Sequence, residues 1–326
     1  MTHAIEAQGL VKTYDGEVRA LDELSFSVVE GTVFGLLGPN GAGKSTTVKI
    51  LTTLSHADSG SATVAGFDVR SQPHKVRHSI GTVQQGSTVD REATGRENLR
   101  LQGQVYGLRG RELETRAGEL LERFGLADAA DRIARGYSGG MERRLHVAMA
   151  LIHNPSVLFL DEPTTGLDPE VRADMWSEIS RLTSEQGLTI LLTTHYLEEA
   201  DNLASQLAIV DRGRVVAEGT PEALKADLRG DAIRVELGGV DTGNGNVGAA
   251  LEALTDIREV SVDGRTLHAR ADDGARAVPV VLQALEARGV EVASVSVARP
   301  SLDDVYLRYA GRSFDTAEAE ADEVKR

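Results

Sequence analysis

The stretch GPNGAGKST, Gly38 to Thr46, lies between the apolar run TVFGLL and the segment TVKILTTL, and it restricts the fold more than any other segment. It fits the pattern G-x-x-x-x-G-K-[ST], a loop whose backbone N–H groups turn toward one centre. Gly38, Gly41 and Gly43 keep Cβ atoms out of that centre, Pro39, Asn40 and Ala42 complete the turn, and Lys44, Ser45 and Thr46 open a helix. An ammonium, a hydroxyl and a helix N-terminus converging on one point make an anion site. Lys44 is placed to neutralise the β- and γ-phosphates of a nucleotide and Ser45 to offer its hydroxyl to Mg²⁺. Val48, Leu51 and Leu54 are expected on one side of the helix that follows.

Two later segments extend the same layer. VLFLDE, Val157 to Glu162, and LTILLTTH, ending at His195, are continuous apolar runs, the pattern of strands covered on both faces in a parallel sheet. Ligands of such sheets collect at the carboxyl ends of the strands. Asp161 stands there to hold magnesium, directly or through water, and Glu162 beside it to act as general base toward an attacking water.

The 326 residues are 41% hydrophobic, enough for one large domain and a smaller one. The formal net charge of -15 repels a polyphosphate, so nucleic acid is not expected as a partner. Cys is absent, which removes disulfide frameworks, thiolate chemistry and zinc ribbons. No stretch reads as a secretory signal or approaches the roughly 20 apolar residues of a bilayer span.

Short strands fill the first 37 residues, and residues 95–134 read as a mostly helical insertion with Gly107, Gly110 and Gly125 as stops. Beyond a hairpin at DRGRVVAEGT and a helix at PEALKADL, residues 232–297 read β, α, β, β, α, β, a ferredoxin-like split βαβ unit. A helix at PSLDDVYLRYAG and an acidic tail, read as disordered, close the chain. The expected division is residues 1–228, with a helical subdomain at about 86–136, then 229–311, then a tail at 312–326.

Between the helical insertion and VLFLDE lies YSGGM, Tyr137 to Met141. It contains no base and no metal ligand, and read alone Ser138 followed by Gly139 and Gly140 is the cap of a helix N-terminus. In order along the chain, these motifs resemble the ATP-binding subunits of ABC transporters, over residues 5–224. That family's signature has the form LSGGQ, from which Tyr137 and Met141 depart. The implied fold is an α/β P-loop NTPase domain with a helical subdomain and an antiparallel β subdomain, followed by the small α+β ferredoxin-like domain.

The resemblance implies further roles. Tyr14 would stack on adenine, Gln85, with Gln84 as its rival, would reach Mg²⁺ and the water, and Asp168 would lie in a loop between subunits. His195 would contact the γ-phosphate and hold Glu162 and water in line, while Ser138, Gly139 and Gly140 would close over the γ-phosphate bound by a second copy. The implied cofactors are ATP and Mg²⁺. The implied assembly is a homodimer with ATP sandwiched at its interface, joined to a separate transmembrane permease at the cytoplasmic face of the membrane.

Within the family, YSGGM, DEPTTGLDP, TTHYLEEAD and PSLDDVYLRYAGR are similar to the daunorubicin/doxorubicin resistance subfamily, which implies efflux of a drug-like compound. Export of a lipid, polyketide or glycan, or a soluble ATPase without transport, are the other readings. The C-terminal unit, which lacks a phosphate, metal or nucleophile constellation, reads as a regulatory or dimer-stabilising appendage.

Overall fold

The computed structural model describes residues 2–14, 18–84, 86, 88–238, 251, 254 and 256–324. Backbone contacts divide the chain into two units, Met1–Thr220 and Pro221–Arg326.

In the first unit, β1 (His3–Tyr14), β2 (Val18–Val29), β4 (Ser59–Val64) and β5 (Phe67–Asp68) form an antiparallel sheet in the order β2-β1-β4-β5. A second sheet contains β3 (Val33–Leu37), β6 (Ile80–Val83), β7 (Val157–Asp161), β8 (Thr189–Thr194), β9 (Gln206–Asp211) and β10 (Arg214–Gly219). Its order is β10-β9-β3-β8-β7-β6, with every pairing parallel except the β9–β10 hairpin.

The continuous apolar runs follow from burial of both faces of this second sheet. Val157 and Phe159 pack into the cluster that holds β1, β2 and α1 (Lys44–Leu51). Leu158 and Leu160, one residue out of phase, pack beneath α4 (Gly110–Arg123), α5 (Gly139–Ala150) and α6 (Pro169–Gln186). Strand side chains alternate in direction, so only a run without polar gaps satisfies both cores.

The helical insertion also contains α3 (Gly95–Val105), and its start is set by a capping box between Thr94 and Glu97. Gly107 and Gly125 follow the ends of α3 and α4 at φ 88° and 62°, the left-handed cap that glycine takes without strain. Gly110, expected as a stop, is instead the first residue of α4. A second expectation also shifts: α1 ends at Leu51, Thr53 turns to φ 64°, and Leu54 is 62% exposed rather than aligned with Val48 and Leu51. The shorter helices α2 (Pro73–Ser79) and α7 (Leu197–Leu203) complete this unit.

The second unit begins at α8 (Pro221–Asp227), earlier than the boundary expected after residue 228. The reason is local: the Tyr309 hydroxyl donates to Asp227, and the guanidinium of Arg270 donates to the carbonyls of Leu228 and Gly230. β11 (Asp231–Leu237), β12 (Arg258–Asp263), β13 (Thr266–Ala271) and β14 (Val292–Ala298) pair antiparallel in the order β12-β13-β11-β14, which is the strand order of a split βαβ unit. α9 (Gly274–Glu286) buries Ala277, Val281 and Leu285 in the core of this sheet. The helix expected at VGAALEALTD falls largely outside the described residues.

The helix expected at PSLDDVYLRYAG is α10 (Leu302–Ala310), whereas the tail expected to be disordered from residue 312 contains a further helix, α11 (Phe314–Val324). Ser313 caps that helix by accepting from the Thr316 N–H at 3.2 Å, and Phe314 is buried edge-on against Tyr306, with ring centroids 5.0 Å apart. One buried aromatic ring overrides the acidic composition that suggested disorder.

Candidate active site

β3 delivers the glycine-rich loop to the carboxyl edge of the parallel sheet, where backbone fills the space a side chain would need. A Cβ at Gly38 would lie 2.3 Å from the Val210 carbonyl oxygen, and one at Gly43, with φ 109°, would lie 2.6 Å from that of Ala20. Lys44 is buried, and its ammonium donates to the carbonyls of Gly38 at 2.5 Å and Pro39 at 3.0 Å. The N-terminus of α1 has Gly43 as its cap and no side-chain oxygen on its first N–H groups, which suits them to an anion. Gly41 and Ser45 are exposed there, Asn40 and Thr46 are half-buried, and Pro39 and Ala42 are buried beneath the loop.

Asp161 closes β7 and pairs in register with Thr193 of β8, whose hydroxyl donates to its carboxylate at 2.5 Å. Glu162, the next residue, is buried and takes φ 48°, a left-handed backbone rare for a residue with a side chain. Its N–H donates to the Thr193 carbonyl at 3.1 Å, and its carboxylate accepts from the Thr165 hydroxyl at 3.3 Å. Nδ1 of His195 lies 3.3 Å from the same carboxylate but off the hydrogen-bonding direction. The His195 imidazole is the main cause that holds the Glu162 carboxyl below its usual range, with Lys44 and Thr165 adding to it against the opposing effect of burial. Lys44, Glu162 and His195, distant in sequence, therefore share one electrostatic site, and Gly38 joins it by donating its N–H to the Thr194 carbonyl at 3.3 Å.

Ser138 is the N-cap of α5, and its hydroxyl oxygen accepts from the Met141 N–H at 3.2 Å, so part of its bonding capacity serves its own helix. The two glycines differ in role. A Cβ at Gly139 would meet open space, whereas one at Gly140 would lie 2.7 Å from Val171 on α6. Gly139 thus leaves the helix end approachable, and Gly140 lets α5 seat against α6. Tyr137 locks the subdomain: its hydroxyl donates to the Ala129 carbonyl at 2.7 Å, and Arg132 lies 5.3 Å from its ring centroid. Met141 packs against the core.

The remaining expected residues are scattered around this centre. Tyr14 ends β1, 41% exposed, with the Lys12 ammonium 5.6 Å from its ring. Asp168 caps α6, accepting from the Val171 N–H at 3.0 Å. Gln85 lies outside the described residues, and its rival Gln84 is tied by its carbonyl to Arg143 at 2.8 Å. Sequence reasoning missed Arg143 and Glu199. Glu199 is fully buried and accepts from the Thr164 hydroxyl at 2.8 Å and the Trp176 indole at 3.1 Å. Gly140, Arg143 and Val147 recur at the helical spacing of a packed face, a signal that Arg143 points inward.

A glycine cradle at the edge of a parallel sheet, a buried lysine behind it and adjacent carboxylates across from it define a P-loop NTPase. The ABC transporter family matches residues 21–165, and the C-terminal domain of DrrA1-3-like ATP-binding proteins matches residues 219–310. The chain is 46% identical to the daunorubicin resistance ATP-binding protein DrrA2 of Streptomyces coeruleorubidus, with 97% of this chain and 98% of that protein covered. It is 44% identical to the daunorubicin/doxorubicin resistance ATP-binding protein DrrA of Streptomyces peucetius, over 99% and 98% of the two. Among solved structures, a dimeric ATP-binding cassette bound to ADP and Pi in a post-hydrolysis state superposes with a TM-score of 0.61 at 26% identity, covering 66% of this chain and 98% of that one.

The chain belongs to the ABC transporter ATP-binding subunits, in the family of the daunorubicin/doxorubicin resistance ATP-binding proteins. Its ABC ATPase domain binds ATP. Among the described residues, no helix is long and apolar enough to cross a membrane.

Proposed function

We propose that this chain hydrolyses ATP to drive efflux of a drug- or antibiotic-like hydrophobic compound through a separate transmembrane permease, at the cytoplasmic face of the membrane. The buried Glu162 carboxylate carries the catalytic part of the reading, because it is kept ionised beside His195 and within the field of Lys44. Glu162 accepts the proton of the attacking water, and His195 fixes the carboxylate's orientation. Lys44 and backbone N–H groups of the glycine-rich loop and the start of α1 stabilise the charge on the phosphates, and Tyr14 stacks on the base.

The oxygen donors of Ser45 and Asp161 suit a hard cation, and with Gln85 they would hold Mg²⁺, which supplies charge neutralisation between the phosphates when bound. Exposed Ser138 and Gly139, with Gly140 behind them, cap the γ-phosphate held by a second copy, and Asp168 lies at that junction. The match to a dimeric cassette supports the head-to-tail pair. Residues of about 86–136 receive the permease, and the names of the relatives support the drug-like cargo. The second unit serves as an accessory that regulates or stabilises the pair.

Glu162→Gln tests the catalytic core. The variant is expected to bind ATP with affinity near that of the parent, lose turnover by at least about a hundredfold and accumulate as a dimer on size-exclusion chromatography with ATP. Turnover near the parent rate, or a monomer with ATP bound, refutes the assignment.

A further inference from the structure

The guanidinium of Arg143, on α5 beyond Ser138, donates to three backbone carbonyls on two segments of the first unit. Nε reaches the Pro163 oxygen at 2.8 Å, Nη1 the Gln84 oxygen at 2.8 Å and Nη2 the Glu162 oxygen at 3.3 Å. A surface arginine does not serve this way: burial pulls its pKa down, and the fields of Glu199 and Asp161 oppose that effect.

Glu162 needs such an anchor. It precedes a proline, which favours extended backbone, yet it holds φ 48°. Its N–H is fixed by Thr193, its own carbonyl and that of Pro163 are fixed by Arg143, and Pro163 has no N–H to offer. Beyond the proline, Thr164 is held by Glu199.

We propose that Arg143 is a positioning residue that fixes the backbone carrying Glu162 and joins it, through α5, to Ser138, so that closure of a second copy on the signature is transmitted to this chain's own base. The inference rests on the reading of Glu162 as that base. Ser138 and Arg143 are about 7.5 Å apart along the helix, at 1.5 Å per residue. A displacement of the helix N-terminus therefore arrives at the three carbonyls without passing through a flexible loop, and the same guanidinium carries it to the segment before Gln85.

The experiment uses Arg143→Gln, Arg143→Lys and Ser138→Ala in the full chain, measuring kcat, the Kd for ATP and thermal stability. Arg143→Gln is expected to lower kcat at least tenfold with the Kd changed less than about twofold, and Arg143→Lys, which keeps charge and fewer donors, to recover part of the loss. Combined with Ser138→Ala, it is expected to lose far less than the product of the two single losses, because both act on one connection. Unchanged kcat in Arg143→Gln, multiplicative losses in the double variant, or a Kd and melting temperature that fall as far as kcat each overturn the inference. If Arg143→Gln does not fold, Arg143→Lys takes its place in the same cycle, with the same outcomes. A Glu162→Gln variant that still turns over removes the base reading itself, which separates the two failures.

Discussion

His146, on α5, is 3% exposed, and its Nδ1 is buried without a hydrogen-bond partner among the described residues. Burial lowers its pKa to about 4, with the Arg143 charge adding to the effect. His153 is also lowered to about 4, chiefly by burial, and it stacks flat on Tyr106 at 3.6 Å. The sign follows from proton counting. Between about pH 6.5 and 4 the unfolded chain binds these protons and the folded chain does not, so stability falls as the pH is lowered through that window. Each histidine accounts for roughly 3 kcal/mol of that loss. His146→Leu is expected to flatten the dependence by about that amount, read from urea denaturation at pH 7 and pH 4.5; an unaltered slope shows that the imidazole is not held neutral.

At the scale of elements, one residue often decides whether a segment is ordered. α11 is acidic enough to read as a disordered tail, yet Phe314 at its start is 2% exposed against Tyr306. Phe314→Ala is expected to destabilise the second unit by about 3 kcal/mol, measured by chemical denaturation. A loss below about 1 kcal/mol would mean that α11 does not pack where described. The signature follows a similar rule. Gly140 lets α5 seat on α6, since a Cβ there would lie 2.7 Å from Val171, so helix packing requires that glycine whatever binds in front of it, and within YSGGM Ser138 and Gly139 are the exposed residues. Tyr137, a departure from LSGGQ, anchors the subdomain through Ala129 and crowds Gly95, where a Cβ would lie 2.3 Å from its hydroxyl.

At the scale of the whole molecule, the electrostatic site contains Lys44, Glu162 and His195, while the Ser138 side chain engages Met141 rather than the glycine-rich loop. A reaction centre completed by a second copy makes the ATPase rate depend on the square of protein concentration when dilute. The specific rate per chain is expected to rise about tenfold over a tenfold increase in concentration below the dimerisation constant, measured by phosphate release. A specific rate independent of concentration in a monomer shown by light scattering would remove the paired mechanism.

The placement of the glycine-rich loop, the β7 carboxylates and His195 at strand ends was legible in the sequence because each sits at a boundary where apolar periodicity stops, and local pattern marks such boundaries. The same pattern misplaced Gly110 and Leu54, because helix ends depend on caps and burial contributed by distant residues. Arg143 was illegible as a functional residue, since its partners are backbone carbonyls 19 to 59 positions away and carbonyls leave no mark in a sequence.

Residue order by itself determined the nucleotide chemistry, because a phosphate cradle needs glycines, a lysine and a hydroxyl at contiguous positions. Tertiary structure alone decided how those groups are aimed, through the left-handed turn at Glu162, the seating of α5 on α6 and the half-buried Arg143 guanidinium that holds the Glu162 and Pro163 carbonyls. The physical reason is that identity and spacing are local properties of a chain, whereas burial and hydrogen-bond direction exist only after distant segments have packed.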